Sequence, residues 1–173
     1  MNFRVERISS AKQLRQVARF MARTVSLDPS YISHSEIQLG LSPDGRSWAQ
    51  DLESKLLDEA DSTETNTLVY AAISTDDEIL AASRVSVHFD KGPLYAIIED
   101  MAVSPDHRSS GLGSRLADAI EADAMNQGVT WLFLESGKKN VGAHRFFERH
   151  GFSEISHVFG KQLSGKKTAH VND

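Results

Sequence analysis

The sequence predicts an α/β protein, a central mixed sheet of about six strands flanked by about four helices. Three observations carry that expectation. The apolar pattern switches repeatedly between a period of two and a period of 3.6, so strands and helices alternate along the chain. The elements read out in the order β, α, α, β, β, β, α, β, α, β, which calls for a mixed sheet with helices packed on it. The chain has 173 residues and shows neither an internal repeat nor an interdomain linker. That length suits one domain, and such a domain buries roughly 70% of its unfolded surface. The expected domain runs over 1–163, with 164–173 as a frayed tail.

FRVERI, residues 3–8, alternates and predicts the first strand. From Ser10 the period changes: Leu14, Val17, Ala18, Met21 and Val25 share one helical face, with Ser9 or Ser10 as N-cap. LDPSYISHSEIQLGLSPDG reads as a long connection with room for one short helix. A second helix is expected from about Arg46, carrying Trp48, Leu52 and Leu56 inward. The polar DSTETN ends it. TLVYAAIS and a strand from Ile79 to Phe89 flank TDDE as a hairpin, and DKGP turns the chain into LYAIIEDMAVS. A helix from about Ser110 to Gln127, the strand TWLFLES, a shorter helix over 141–150 and a last strand EISHVFGKQL complete the order.

Composition removes several classes. There is no cysteine, so disulfides and thiolate metal sites are excluded. No apolar run approaches the roughly 20 residues of a membrane span. MNFRVERISS lacks the apolar core of a signal peptide. A soluble cytoplasmic protein is therefore expected. The net charge of −5 argues against nucleic acid as a partner. It is unevenly spread. Residues 1–25 set six bases against Glu6, residues 26–66 set nine acids against Arg46 and Lys55, and 138–150 set four bases against Glu148. Solvated helix faces explain such blocks, and so does a bound molecule whose reaction partner is cationic.

HRSSGLG, residues 107–113, sits where a strand gives way to a helix. Glycine and serine are poor choices inside a helix, but at its N-terminus they free backbone amides that meet the positive end of the dipole. That is an anion site. Gly111 and Gly113 let a ligand approach the main chain, and Arg108 can add a charge-assisted bond to a phosphate. The loop is not a nucleoside-triphosphate loop, since no Gly-Lys-Ser/Thr follows, and it lacks the G-x-G-x-x-G of dinucleotide sites.

VSPDHRSSGLGSRL, followed about thirty residues later by NVGAHRFFERHGF, resembles the GNAT superfamily of acetyl-coenzyme A-dependent N-acetyltransferases. The first stretch is similar to the family's pyrophosphate loop, R/Q-x-x-G-x-G/A, with Val103 and Pro105 upstream. The second is similar to its N-x-x-A-x-x-x-Y-E-K-x-G-F element, here Asn140, Ala143, Phe147, Glu148, Arg149, Gly151 and Phe152. More locally, IIEDMAVSPDHR resembles glucosamine-phosphate N-acetyltransferases and AHRFFERHGF resembles aminoalkylphosphonate N-acetyltransferases.

The resemblance implies acetyl-coenzyme A as co-substrate and no metal. It assigns Met101, Ala102 and Val103 to the pantetheine arm. The amides of Ser109, Ser110, Gly111, Leu112, Gly113 and Ser114 fall to the pyrophosphate. Arg108 and Lys138 or Lys139 lie near coenzyme phosphates, and Asn140 and Phe147 complete the coenzyme set. A primary amine then attacks the thioester directly, and holding the reactants together supplies much of the acceleration. An alkylammonium with a pKa near 10.4 is neutral in fewer than about one molecule in a thousand at pH 7, so a proton acceptor is needed. Glu99 is the first choice, since in a regular strand it shares the face of Met101 while Asp100 points the other way; a β-bulge would reverse that assignment, so Asp100 is held beside it. His88 is a weaker candidate. The family often uses a tyrosine where this chain has Phe147, which cannot protonate the departing thiolate; Tyr95, Ser136 or water stand in its place.

In the family, the segment between the first two helices helps to wall the acceptor site. Here it has Tyr31, His34, Glu36 and Trp48 available; Tyr31 and Glu36, with Glu99, are the expected acceptor residues, and Tyr31 and Trp48 also read as core. Its acidity suits a cationic small-molecule amine, whereas a phosphorylated amine would prefer positive walls, so charge and local resemblances disagree. An amine on a protein or peptide, and a coenzyme-sensing module without turnover, are the alternatives. A homodimer is left open.

Overall fold

The computed structural model describes residues 2–62, 66–89 and 92–163. The predicted tail, 164–173, lies outside them. One sheet of five strands runs in the order β1 (Phe3–Ile8), β2 (Thr67–Ser74), β3 (Ile79–His88), β4 (Tyr95–Val103) and β5 (Trp131–Leu134). The first four pair antiparallel and β4 pairs parallel with β5. The helices are α1 (Ala11–Val25), α2 (His34–Gln38), α3 (Leu52–Asp61), α4 (Leu112–Asn126) and α5 (Val141–Arg149), with 3-10 turns at Pro29–Tyr31 and Pro105–His107. None is long and apolar enough to cross a membrane among the described residues.

Each face of the sheet has its own core. Val17, Phe20 and Met21 of α1 and Leu52 of α3 pack with Val69, Ala71, Ala82 and Ala102 on one face. Leu112, Leu116 and Ile120 of α4 pack with Tyr70, Val85, Ala96 and Ile98 on the other. With helices on both sides, β2 is buried along nearly its whole length.

Two expectations change. The helix predicted from Arg46 begins at Leu52, because the chain before it finds other partners. Asp44 accepts from the amides of Arg46 and Ser47, both at 2.8 Å, and Ser42 donates to the Ser47 carbonyl at 2.7 Å. The Ala49 amide reaches the Leu41 carbonyl at 2.8 Å. Trp48 therefore packs against the core from a loop. The last predicted strand, 154–163, is absent: residues 153–163 form neither helix nor strand and are exposed. Among the described residues the sheet has five strands where about six were expected.

Candidate functional site

The site begins where β4 loses a neighbour. β4 pairs with β5 only from Tyr95↔Trp131 to Ile98↔Leu134, yet it runs on to Val103. Among the described residues, the main-chain edge of 99–103 that faces β5 has no strand partner. Met101, Ala102 and Val103 therefore stand on an open edge. The chain leaves β5 toward the 3-10 turn at 29–31. Gly137 touches it so closely that a Cβ there would lie 2.2 Å from the Ser30 carbonyl oxygen and 2.6 Å from that of Ile32. Only glycine permits this approach.

Past Val103 the chain turns through Pro105–His107 into α4. Ser109 and Gly111 take φ values of 62° and 85°, and the Ser110 hydroxyl donates to the His107 carbonyl at 2.5 Å. Gly111 is the N-cap residue and supplies no side-chain cap, so the amides of Leu112, Gly113 and Ser114 open the helix uncapped. The first helical bond returns from Arg115 to Gly111 at 3.0 Å. Space is not what requires glycine at 111, since a Cβ would meet nothing within 4 Å; the positive φ is. Gly113 is a packing glycine, with the Phe146 ring 3.2 Å and Val103 Cγ2 3.5 Å from a Cβ. An uncapped N-terminus of a 15-residue helix beside an unpaired strand edge fits a long molecule with an anionic end. Arg108 lies near Asp28 and Tyr31. Asp28 is held below the usual carboxylate range by the Ser30 hydroxyl and amide, with Arg108 adding its charge. Burial pushes the Tyr31 phenol up, and Arg108 opposes that.

At the other end of the open edge lies a cavity of about 190 Å³. A β-bulge shapes it. Arg84 faces Asp100 while Val85 faces Ile98, so Glu99 is an extra residue in β4. Arg84 and Ser86, two apart on β3, share a face. Asp100 pairs with Arg84 at 3.1 Å, and Glu99 accepts from the Ser86 hydroxyl, so both acids turn to that face. Met101 packs against the opposite core. Glu99 and Asp100 thus lie together on the cavity wall, neither on the face of Met101.

Three further carboxylates line the cavity: Glu36, Glu59 and Glu135. Arg84 also pairs with Glu59, bridging α3 to the bulge. Glu135 pairs with His34 Nδ1 at 2.6 Å, and Glu36 accepts from the Ser33 amide at 2.6 Å in the capping box of α2. Burial pushes the Asp100 carboxyl up; Arg84 opposes this, and the charges of Glu59, Glu36 and Glu99 add to it. Glu135 is likewise raised, first by burial, against His34 and with Glu36 and Glu99. Five carboxylates around one arginine make an electronegative pocket that suits a cation. Tyr31 and Trp48 line it as well, and the buried Trp48 indole N–H has no partner among the described residues.

The remaining predicted residues divide. Asn140 and Phe147 line the cavity. The Asn140 side chain is engaged in capping α5, accepting from the Ala143 amide at 3.2 Å. The Phe147 ring packs edge-on against Phe146 and Phe152, at 5.1 and 5.5 Å between centroids. Ser136 lines the cavity; Tyr95 is not among its lining residues and stacks on His88 at 4.7 Å. His88 Nε2 lies 2.9 Å from the Ser86 hydroxyl oxygen, one step behind Glu99. Sequence reasoning passed over Arg84, Glu59, Glu135 and Gly137. Arg84 had a signal, as the one charge in the otherwise uncharged run ILAASRVSV. The others had none, since their role comes from elements distant in sequence.

The acetyltransferase (GNAT) family profile matches residues 34–152. The ribosomal protein bS18–alanine N-acetyltransferase of Salmonella typhimurium is 31% identical over 84 residues, 49% of this chain and 54% of that protein. The chain spans about half the length of the curated relatives it matches. Among solved structures, aminoglycoside 6'-N-acetyltransferase AAC(6')-Ih of Acinetobacter baumannii superposes with a TM-score of 0.64 at 20% identity, over 95% of this chain and 100% of that one. Aminoglycoside N-acetyltransferase AAC(6')-Iy, in complex with CoA, gives 0.67 at 12% identity, over 94% and 95%. The structural likenesses are likenesses of fold.

Proposed function

This chain belongs to the acetyltransferase (GNAT) family, and from that premise we propose that it moves the acetyl group of acetyl-coenzyme A to the primary amine of a cationic small molecule. One observation carries the reading: the unpaired edge of β4 leads from an uncapped helix N-terminus to a pocket of five carboxylates. Residues 101–103 would hold the pantetheine arm through main-chain groups, and the 109–114 amides with Arg108 the pyrophosphate. The thioester supplies an already activated acyl group. The carboxylates concentrate the ammonium form of the acceptor. Glu99 then takes its proton, since its carboxylate is engaged by the Ser86 hydroxyl alone, while Asp100 is tied to Arg84. The freed nitrogen would attack the thioester carbonyl carbon; as the C–N bond forms the C–S bond breaks, and the second proton that the nitrogen sheds neutralises the departing coenzyme A thiolate by way of water or Ser136. Ser136 and water are the proton donors at hand where Phe147 offers none.

A phosphorylated acceptor is disfavoured, because five carboxylates would meet its dianion. A peptide amine is the second reading, favoured by the name of the Salmonella relative. The test is thiol release from acetyl-coenzyme A across polyamines, aminoglycosides, amino sugars and their phosphates, aminoalkylphosphonates and peptides. Release with cationic amines above the no-amine control is expected. Release with phosphorylated amines alone would overturn the acceptor class; coenzyme binding with no release from any amine would leave a sensor, and no coenzyme binding would overturn the whole reading.

A further inference from the structure

Behind Glu99 stand two side chains of β3 that do not line the cavity, Ser86 and His88. Strand alternation sets Arg84, Ser86 and His88 on one face, and the bulge turns Glu99 to that face as well. Ser86 is 7% exposed. A hydroxyl so buried needs partners, and this one has them on both sides. It donates to Glu99, and His88 Nε2 lies 2.9 Å from the same oxygen.

The inventory of donors sets the direction of the second bond. A hydroxyl has a single proton, and a carboxylate only accepts. The Ser86 proton is engaged by Glu99, so what Ser86 offers His88 is a lone pair. His88 must then donate, with its proton on Nε2. Donation does not depend on the charge of the ring, because Nε2 carries a proton in this neutral tautomer and in the cation alike. The ring is also held in place. It stacks on Tyr95 at 4.7 Å with 9° between the planes, Tyr95 meets Phe133 edge-on at 5.8 Å, and Phe133 stacks on Trp131 at 5.7 Å. A row of rings thus crosses β3, β4 and β5 and fixes the plane of the imidazole.

We propose that His88 is a positioning residue for acetyl transfer: its Nε2–H binds the Ser86 oxygen, which turns the Ser86 proton to Glu99 and holds that carboxylate where it takes the proton of the acceptor amine. The inference rests on Glu99 being the proton acceptor. No proton passes through His88, whose Nε2 is already protonated. Glu99 returns its proton to solvent, to which it is exposed. That exposure is why the chain of hydrogen bonds matters. An exposed glutamate has several rotamers to choose from, and one that faces away from the amine contributes nothing to the rate. Without His88 the Ser86 hydroxyl is free to turn to other acceptors, and Glu99 loses its anchor.

The test compares variants of the full chain with the most active amine of the thiol-release panel. His88→Phe keeps a ring to stack on Tyr95 and removes the donor; kcat should fall about 10-fold, with the KM for acetyl-coenzyme A unchanged. His88→Gln should recover most of that loss, since its amide nitrogen lies as many bonds from the backbone as Nε2 and donates, yet takes up no proton. In a Ser86→Ala background His88→Phe should have no further effect. The free protein gives a reading without turnover: a long-range proton–nitrogen correlation spectrum at alkaline pH should place the His88 proton on Nε2. Wild-type kcat in His88→Phe, a His88→Gln as slow as His88→Phe, or full additivity with Ser86→Ala would each overturn the proposal. A bare Nε2 in a protein that Glu99→Gln still slows overturns the hydrogen-bond chain alone. A protonated Nε2 with kcat indifferent to Glu99→Gln overturns Glu99 as proton acceptor, and the role of His88 with it.

Discussion

Replacing Arg84 by methionine should destabilise the protein more at pH 7.5 than at pH 5, and the structure gives the reason. Arg84 is the one cation that binds two of the cavity's five carboxylates, Glu59 and Asp100, and its side chain is 22% exposed. At 3.1 Å from Asp100, the gross attraction at an effective dielectric of 20 is about 5 kcal/mol. Removing one partner of a fully buried pair costs about 3–5 kcal/mol and of an exposed one at most about 1 kcal/mol; with Asp100 27% and Glu59 35% exposed, about 1–3 kcal/mol is expected. For a chain of this length that lowers Tm by roughly 2–12 °C at neutral pH. The sign of the pH dependence follows from Asp100. Burial already holds its folded pKa above the unfolded value, with Arg84 opposing. A raised acid binds more protons folded than unfolded, so its contribution to stability is fully present below the unfolded pKa and is lost as pH rises through the folded one. Without Arg84 the folded pKa climbs further, and each unit of that climb that falls between pH 5 and pH 7.5 widens the difference between the two by about 1.4 kcal/mol. Thermal unfolding of both proteins at the two pH values measures it. An equal loss of Tm at both would refute the reasoning, showing that Asp100 gains no proton when its partner goes.

The other predictions concern the coenzyme edge and the proton acceptor. Glu99→Gln should lower kcat about 10²–10⁴-fold at pH 7, with coenzyme affinity by titration calorimetry unchanged, and the deficit should shrink at alkaline pH, where the amine is already neutral; a parallel profile removes Glu99 as acceptor. Gly111→Val forces a β-branched residue to a φ of 85° at a cost of about 1–2 kcal/mol or more; a folded variant with much weaker coenzyme binding is expected, and unchanged affinity would dissociate the loop from the pyrophosphate. Gly137→Ala places a Cβ 2.2 Å from the Ser30 carbonyl oxygen, so a loss of about 1–3 kcal/mol in denaturant unfolding is expected. Gly142→Ala, whose Cβ would meet only Asn140 Oδ1 at 4.0 Å, should cost nothing.

What could be read from sequence was local. Ser10 caps α1 by accepting from the Gln13 amide, and Val17, Ala18, Met21 and Val25 are buried, as their spacing requires. The start of α4 was legible because Gly111 carries its own conformational reason. What failed depended on contacts between segments. RSWAQD, 46–51, has helical spacing, but Asp44 and the Leu41 carbonyl capture its amides first. EISHVFGKQL has the composition of a strand, yet a strand exists only where it pairs with an edge, and 153–163 pair with none among the described residues. The facing of Glu99 and Asp100 was undecidable from alternation, because one inserted residue in β4 is silent in its own sequence and visible only against the register of β3.

That inserted residue ties the two halves of the site together. Without it, strand alternation would send Glu99 and Asp100 to opposite faces, and one of the two would be buried beneath α4 without Arg84 or Ser86 to meet it. With it, both acids turn to the cavity, and Met101 still returns to the core under α4. The bulge falls next to Ile98, the last residue of β4 that β5 pairs. A bulge increases twist locally and bends its strand, and this one sits where β4 parts from β5. A change that repaired the register would turn one of the two acids from the cavity to the face under α4; where that acid is Glu99, the proposed proton acceptor, a fall in acetyl transfer is expected.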